Sequence, residues 1–339
     1  MIVVTGGGTG GHLKVAKAII DELHSRGEAV IFIGSSNGAD KAWFEHDTTL
    51  RFKFFLKTQG VVNQGFMGKL KSLWMIIKGI NRSLDIFDQY NVTKVISVGG
   101  YSAAAASFAT LFCRAKLYIH EQNSVMGRLN KITSKFAARV YSSYDPNSRV
   151  KDYPVSQEFF DEARIRTKVK TIIFLGGSQG AVAINDYALK IAPKLKQFGM
   201  NIIHQAGKSD YERVKKEYEK LGIEADIFDF TPNIVKKMAK ADFAVSRSGA
   251  STLWELCATG LPALFIPYPY AAADHQYYNA KFLQDKKLGY VCRQKDLDKF
   301  DIFSIVNDDN HINELSKGLV KVIRINGLEF LVTDILEDS

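Results

Sequence analysis

The chain reads as an α/β protein of two doubly wound domains facing a central cleft, and three observations lead there. Its 339 residues are 46% hydrophobic and 24% charged, the make-up of a folded chain long enough for two cores of ordinary size. Short β-branched runs alternate with longer helical patterns, which implies crossover connections and parallel sheets. The alternation then starts afresh near residue 169, and each series carries a glycine-rich turn between its first strand and first helix.

Taken in order, buried strands are predicted at 2–4, 29–33, 95–98, 117–119 and 140–141, where Val, Ile and Leu dominate. Between them, apolar residues at helical spacing predict helices over 13–26, 66–90, 101–113 and 125–136. The mixed-polarity stretch 145–159, with Pro146 and Pro154, reads as a linker. The second series opens with a strand at 169–175 and a helix at 181–196. It continues with strands at 201–204, 225–230, 243–246, 263–267 and 290–292, and helices between them. A last helix, about 323–337, has no strand after it. The expected division is 1–152 and 153–322, with the segment 323–339 packing back on the first domain.

Charge is distributed unevenly. Residues 1–150 hold 19 Lys and Arg against 10 Asp and Glu, whereas residues 151–339 hold 26 of each, so the whole net charge of +9 lies in the first half. A one-sided basic field suits a large anionic partner, either nucleic acid or a membrane surface with anionic lipid. No apolar run approaches a membrane span. The opening Met1-Ile2-Val3-Val4 has no basic segment before it, which argues against a secretory signal. Cys113, Cys257 and Cys292 stand far apart without a CxxC pair and read as reduced thiols.

The first glycine turn is Gly6-Gly7-Gly8-Thr9-Gly10-Gly11-His12, which contains the G-x-G-x-x-G spacing of Rossmann-like dinucleotide sites. A dinucleotide needs a carboxylate near the end of the second strand to hold its ribose. That strand ends Phe32-Ile33-Gly34-Ser35-Ser36 and offers none. Contact between loop amides and an oxyanion survives as the expectation. His12 reads as a general base or hydrogen-bond donor, with a capping or packing histidine as the alternative. Gly176-Gly177-Ser178-Gln179-Gly180 repeats the device in the second half, and Ser178 adds a hydroxyl to the amides. A tight turn alone explains either loop, but two at matching edges favour a phosphate ligand.

Further along, Ser246 to Glu255 leaves a strand and enters a helix, with small residues at 248–252 keeping the helix N-terminus open to an anion. Glu255 is placed to accept both hydroxyls of a ribose, or else caps the helix. Asp274-His275-Gln276 follows the next strand and can read sugar hydroxyls. Asp296-Leu297-Asp298 resembles a metal-binding pair of aspartates, yet its position suits helix capping. His204, His275 and His311 share no ligand spacing, so no metal and no cofactor are expected. Gly207-Lys208-Ser209 lacks the earlier glycine of a P-loop. Finally, Phe66, Leu70, Leu73, Trp74 and Ile77 recur at helical spacing beside Lys69, Lys71, Lys78 and Arg82. An aromatic face rimmed by lysines suits adsorption to anionic headgroups, the alternative being an ordinary core helix.

Together these segments resemble the MurG family of UDP-N-acetylglucosamine transferases of bacterial peptidoglycan synthesis, in glycosyltransferase family 28. The resemblance runs through Gly7-Gly8-Thr9-Gly10-Gly11-His12, Gly99-Gly100-Tyr101, His120-Glu121-Gln122-Asn123 and Gly176-Gly177-Ser178-Gln179-Gly180. It continues in Arg247-Ser248-Gly249-Ala250 with Thr252 and Glu255, Gly260-Leu261-Pro262-Ala263, and Asp274-His275-Gln276. It implies the GT-B fold and inverting transfer of N-acetylglucosamine from its UDP donor to the muramyl 4-hydroxyl of lipid I, giving lipid II. It further implies work at the cytoplasmic face of the bacterial inner membrane, with anionic lipids and cell-wall synthesis proteins as partners and no nucleic acid. By resemblance, Thr9, Gly10, Gly11 and Asn123 contact the donor from the first domain. Ser178, Thr231, Ala250, Ser251, Thr252, Leu253, Glu255 and Gln276 contact it from the second, with Glu255 on the ribose and His12 in catalysis. Three positions depart from the family pattern. Leu13-Lys14-Val15 replaces Phe-Pro-Gly, Ala103-Ala104 follows Ser102 where Gly-Pro is usual, and Ser156 stands where an arginine is expected at the donor. The rival readings are another two-lobed transferase or UDP-sugar epimerase and, more distantly, an NAD-dependent oxidoreductase.

Overall fold

Each half of the chain builds one six-stranded parallel sheet with helices on its faces. The computed structural model describes residues 1–60, 65–177 and 180–338, apart from the side chains of Phe66 and Lys69. Met1–Val155 together with Asn326–Ser339 form one compact unit, and Ser156–Ile325 form the other.

The first sheet contains β1 (Ile2–Thr5), β2 (Val30–Ser35), β3 (Phe52–Leu56), β4 (Lys94–Ser97), β5 (Lys116–Glu121) and β6 (Arg139–Ser142), in the order β3-β2-β1-β4-β5-β6. Val3, Ile31, Ile33, Val95, Leu117 and Ile119 make the core of one face. Helices cover both faces, so the central strands are continuous apolar runs without polar alternation. The second sheet contains β7 (Thr171–Leu175), β8 (Asn201–Gln205), β9 (Asp226–Phe228), β10 (Phe243–Ser246), β11 (Ala263–Phe265) and β12 (Tyr290–Val291), in the order β12-β11-β10-β7-β8-β9. In both sheets the order reverses beside the first strand, between β1 and β4 and between β7 and β10. The connections leave in opposite directions there, which opens a crevice at the carboxyl ends of the strands.

Several elements differ from the sequence reading, each for a local reason. Strand β3 was not expected: it is an edge strand whose Phe52, Phe54 and Phe55 are interrupted by Lys53, giving neither a buried run nor a clean alternation. The helix expected over 101–113 is a 3-10 turn, a helix at Ala104–Ala109, and another 3-10 turn. The Thr110 hydroxyl donates to Ser107 O at 2.8 Å, and such back-bonding goes with the tightened turn. The helix expected over 125–136 shrinks to Arg128–Thr133. The Glu121 carboxylate accepts from Gly127 N and Asn130 Nδ2 at 2.9 and 2.8 Å, which holds the preceding chain as a loop. Asp296 to Asp298 lie in a 3-10 turn, Gln294–Lys299, not at an α-helix start.

The last helix begins at Gly327, not near 323, because Ile323 is extended and buried. Only glycine fits at that entry: a Cβ on Gly327 would stand 2.1 Å from Asp152 Cβ. The helix Gly327–Leu336 packs in the first unit. Arg139 donates to Asp338 at 2.7 Å and pairs with Asp334 at 2.8 Å, while Tyr118 and Tyr141 donate to the same two carboxylates, both at 2.7 Å. Lys94 closes the helix end on the carbonyls of Ile335 and Leu336.

Candidate functional site

In the first unit the chain leaves β1 through glycines that touch backbone. A Cβ on Gly6 would lie 2.6 Å from Gly99 O, and one on Gly100 would lie 2.1 Å from Gly7 O, so the loops after β1 and β4 are in contact. Gly7 N donates to Gly99 O at 3.2 Å and Gly8 N to Asp40 Oδ1 at 2.6 Å. This corrects the expectation that the loop amides await an oxyanion. Those of Gly7 and Gly8 are engaged within the fold, and the helix that follows begins at Gly10.

Thr9 precedes that helix, Gly10–Ser25, and its hydroxyl meets His12 Nδ1 at 2.7 Å, fixing the imidazole. The Cβ position of Gly99 is 3.6 Å from His12 Cδ2 and 3.1 Å from Asn130 Nδ2. The loop after β5 therefore reaches the same place. Behind His12 lies His120, fully buried, its ring edge-on to Tyr153 with centroids 5.6 Å apart. Burial first, and the neighbouring His12 second, push the His120 pKa down to about 3. Asn123 N donates to Glu121 Oε1 at 2.9 Å, so one carboxylate orders the whole run from 121 to 130. Leu13 and Val15, and Ser102 with Ala103 and Ala104, where the sequence departs from the family pattern, are core positions.

In the second unit the turn after β7 is equally tight: a Cβ on Gly176 would stand 2.8 Å from Ala181 N, and one on Gly180 would stand 2.7 Å from Ala206 O. Ser178 lies outside the described residues. Strand β10, paired with β7, leads through Ser248 and Gly249 into the helix Ala250–Ala258, in which Thr252 alone is not buried. Glu255, 4% exposed, is its sixth residue, beyond the first turn that a capping side chain serves. Arg247 donates to the carbonyls of Ile266 and Pro267 at 3.0 and 3.2 Å, and desolvation lowers its pKa. The next residue, Tyr268, donates its N–H to Gln276 Oε1 at 3.0 Å. Arg247 thus steadies the loop that carries Gln276, whose amide nitrogen is left to donate.

That loop is strained. Ala273 and Asp274 both have positive φ, and Arg293 grips the Asp274 carboxylate at 3.0 and 2.7 Å. Thr231 follows the edge strand β9, where its hydroxyl accepts from Asn233 N.

The sequence reading overlooked Asp40, Glu121, Asn130 and Asn279 as site residues. Asn279, buried, donates to Ser248 O at 3.2 Å and ties the helix His275–Asp285 to the turn after β10. Glu121 lies in the polar run His120-Glu121-Gln122-Asn123 and Asp40 and Asn130 stand beside Lys41 and Lys131, so their local sequence does not set them apart from solvated residues. His204 is a core histidine held between Tyr218 and Asn185, and burial pushes its pKa down to about 3. Among the described residues no group of His, Cys, Asp or Glu could hold a metal ion. Asp298 pairs with Lys190.

The long helix Phe66–Gln89 has two faces. Ser72, Ser83, Ile86 and Phe87 are buried, and a Cβ on Gly79 would meet Ala105 Cβ at 2.7 Å. Opposite them, Leu70, Leu73, Trp74 and Ile77 are 49 to 55% exposed and Met67 76%. Lys78 Nζ sits 3.6 Å over the Trp74 ring. Among the described residues no helix is long and apolar enough to cross a membrane.

Comparison with known proteins agrees with this division. Residues 2–142 match the glycosyltransferase family 28 N-terminal domain and residues 171–317 the family's C-terminal domain. The chain is 50% identical over 338 residues to a Campylobacter fetus protein, covering 99% of this chain and all of that one. It is 48% identical over 337 residues to a Sulfurovum protein, covering 99% and 98%. Both are named UDP-N-acetylglucosamine–N-acetylmuramyl-(pentapeptide) pyrophosphoryl-undecaprenol N-acetylglucosamine transferase. The crystal structure of Acinetobacter baumannii MurG is similar over 99% of both chains, with TM-score 0.81 and 27% identity.

Proposed function

The chain belongs to glycosyltransferase family 28, and from that premise we propose that it transfers N-acetylglucosamine from UDP-N-acetylglucosamine to the muramyl 4-hydroxyl of undecaprenyl-diphosphate-linked muramyl-pentapeptide. What carries this reading is likeness over the full length, at half identity, to transferases named for that reaction. The site residues give it a mechanism. As UDP departs, negative charge grows on the diphosphate, and the open N-terminus of the helix Ala250–Ala258 lies beside the glycine turn after β7 to stabilise it. Buried Glu255 accepts the ribose hydroxyls, and Gln276, with its oxygen already engaged, donates to an oxygen of the sugar. Ser178, Thr231 and Ala250 to Leu253 complete the donor contacts of this unit.

In the first unit, Thr9, Gly10, Gly11 and Asn123 line the crevice and His12 takes the acceptor hydroxyl's proton. With Nδ1–H donating to the Thr9 hydroxyl 2.7 Å away, Nε2 is the basic nitrogen of the ring. Attack by the 4-hydroxyl as UDP leaves inverts the anomeric carbon in a single displacement. The exposed apolar face of the helix Phe66–Gln89, with Lys78 beside it, brings the unit to anionic lipid at the cytoplasmic side of the inner membrane, where the acceptor is held.

Incubation with radiolabelled UDP-N-acetylglucosamine and a short-chain lipid I analogue tests this. Label is expected in the lipid product, and only when acceptor is present. A labelled sugar that epimerises without acceptor, with no lipid product, would replace this reading by the epimerase one.

A further inference from the structure

Asp40 is a fully buried carboxylate in the first unit that the reaction above does not use. It lies on the short helix Ala39–Phe44 and joins two loops: Oδ1 accepts from Gly8 N at 2.6 Å and Oδ2 from Ser35 N at 2.9 Å. Glycines make room for it. A Cβ on Gly7 would stand 2.5 Å from Asp40 Oδ1, and one on Gly34 would stand 3.1 Å from Asp40 Cβ. Tyr101 packs on the loop as well: a Cβ on Gly8 would lie 2.7 Å from its ring, and its hydroxyl donates to Asn37 O at 2.5 Å. The turn from Gly6 to Gly8 is therefore held by a buried carboxylate and an aromatic ring, and Thr9 and His12 follow directly.

We propose that Asp40 is a positioning residue for sugar transfer, setting the Gly6–Gly8 turn so that Thr9 and His12 meet the acceptor hydroxyl in register. The proposal rests on the reading of His12 as the proton acceptor. Charge-assisted bonds from a buried carboxylate to amides are short and directional. Gly8 is joined to Thr9, and Thr9 holds His12 Nδ1 at 2.7 Å, so a shift at Gly8 moves the imidazole. A displacement of about 1 Å at a reacting group costs on the order of a hundredfold in rate.

The test compares H12A, D40A, D40N, G7A and the double variant G7A/D40A in the full chain, measuring kcat, KM for the donor, UDP affinity and Tm. In D40A, kcat should fall roughly tenfold or more while UDP affinity falls by less, since Thr9 is a donor contact of this unit but the ribose is held by Glu255 in the other. D40N should fall between, because an amide oxygen accepts from one N–H while its NH₂ faces the other. G7A should resemble D40A, its methyl displacing the carboxylate. G7A/D40A should be no slower than D40A, the clash having gone. A D40A enzyme with wild-type kcat beside an inactive H12A would overturn the proposal alone. So would a G7A/D40A enzyme slowed by the product of the two single effects, or a loss seen only in Tm. Normal turnover by H12A would sink the reading of His12 and this proposal together.

Discussion

Glu255 and the two buried histidines illustrate how burial turns single side chains into sensitive probes. Glu255 is 4% exposed inside a helix, so a ribose bound as proposed would meet its carboxylate with little competing water. Hydrogen bonds to a charged group contribute about 1.5–3 kcal/mol. Glu255→Gln is therefore expected to weaken UDP binding by roughly tenfold to a hundredfold with little change in Tm. Calorimetry that finds unchanged UDP affinity would remove Glu255 from the ribose.

His120 and His204 stay neutral in the fold, with pKa values pushed down to about 3 from 6.5. Between those values the unfolded chain binds more protons than the folded one. Their contribution to stability is thus complete above pH 6.5 and is lost as pH falls, by up to about 1.4 kcal/mol per pH unit for each. Tm should drop from pH 7 to pH 5, and His204→Gln should flatten that slope for the second unit. A wild-type Tm that is level over this range would contradict the burial argument. None of this burial was legible locally: a histidine in a β-branched run and a glutamate in a helix look alike whether buried or exposed.

At the scale of elements, legibility followed the regularity of the pattern. The helix Phe66–Gln89 was read almost to the residue because its spacing is uninterrupted over 24 residues. The faces were the harder part. In its first part Ser72 and Gly79 occupy the packed side, with Gly79 close to Ala105 of the helix Ala104–Ala109, while Leu70, Leu73, Trp74 and Ile77 face outward; Ile86 and Phe87 return to the core near its end. An apolar stripe ordinarily marks the core, and its reversal here is what makes an interfacial role physical. The double substitution L73S/W74S is expected to reduce sedimentation with vesicles containing anionic lipid several-fold while leaving UDP affinity intact. Undiminished vesicle binding would assign the membrane contact elsewhere. Elements shaped by side chains outside their own stretch were misjudged. The loop before Arg128 is held by Glu121, and the start of the last helix is set by Asp152, neither of which lies within the local pattern.

Across the whole molecule, the chain passes into the second unit near residue 155 and returns near 326, so the C-terminal segment is part of the first unit. Asp334 accepts from Tyr141 and pairs with Arg139 and Arg149. Asp334→Ala leaves these groups without their carboxylate, and breaking such a partly buried cluster costs roughly 2–4 kcal/mol. Scanning calorimetry should show a lower transition for the first unit, with the UDP-responsive transition of the second unit unmoved. A single transition lowered as a whole would contradict independent units.

Two parallel α/β sheets and the glycine turns after their first strands were open to reading from residues alone. Periodicity and glycine spacing are local properties, carried by each segment wherever it ends up. The strand order, and with it the switch points where those turns sit, came only from the folded chain. So did the pairing of Asp40 with Gly8, of Glu121 with Asn130 and of Arg247 with the Gln276 loop. Such contacts join different segments of the chain, and the burial that strengthens them is created by packing, which no single segment encodes.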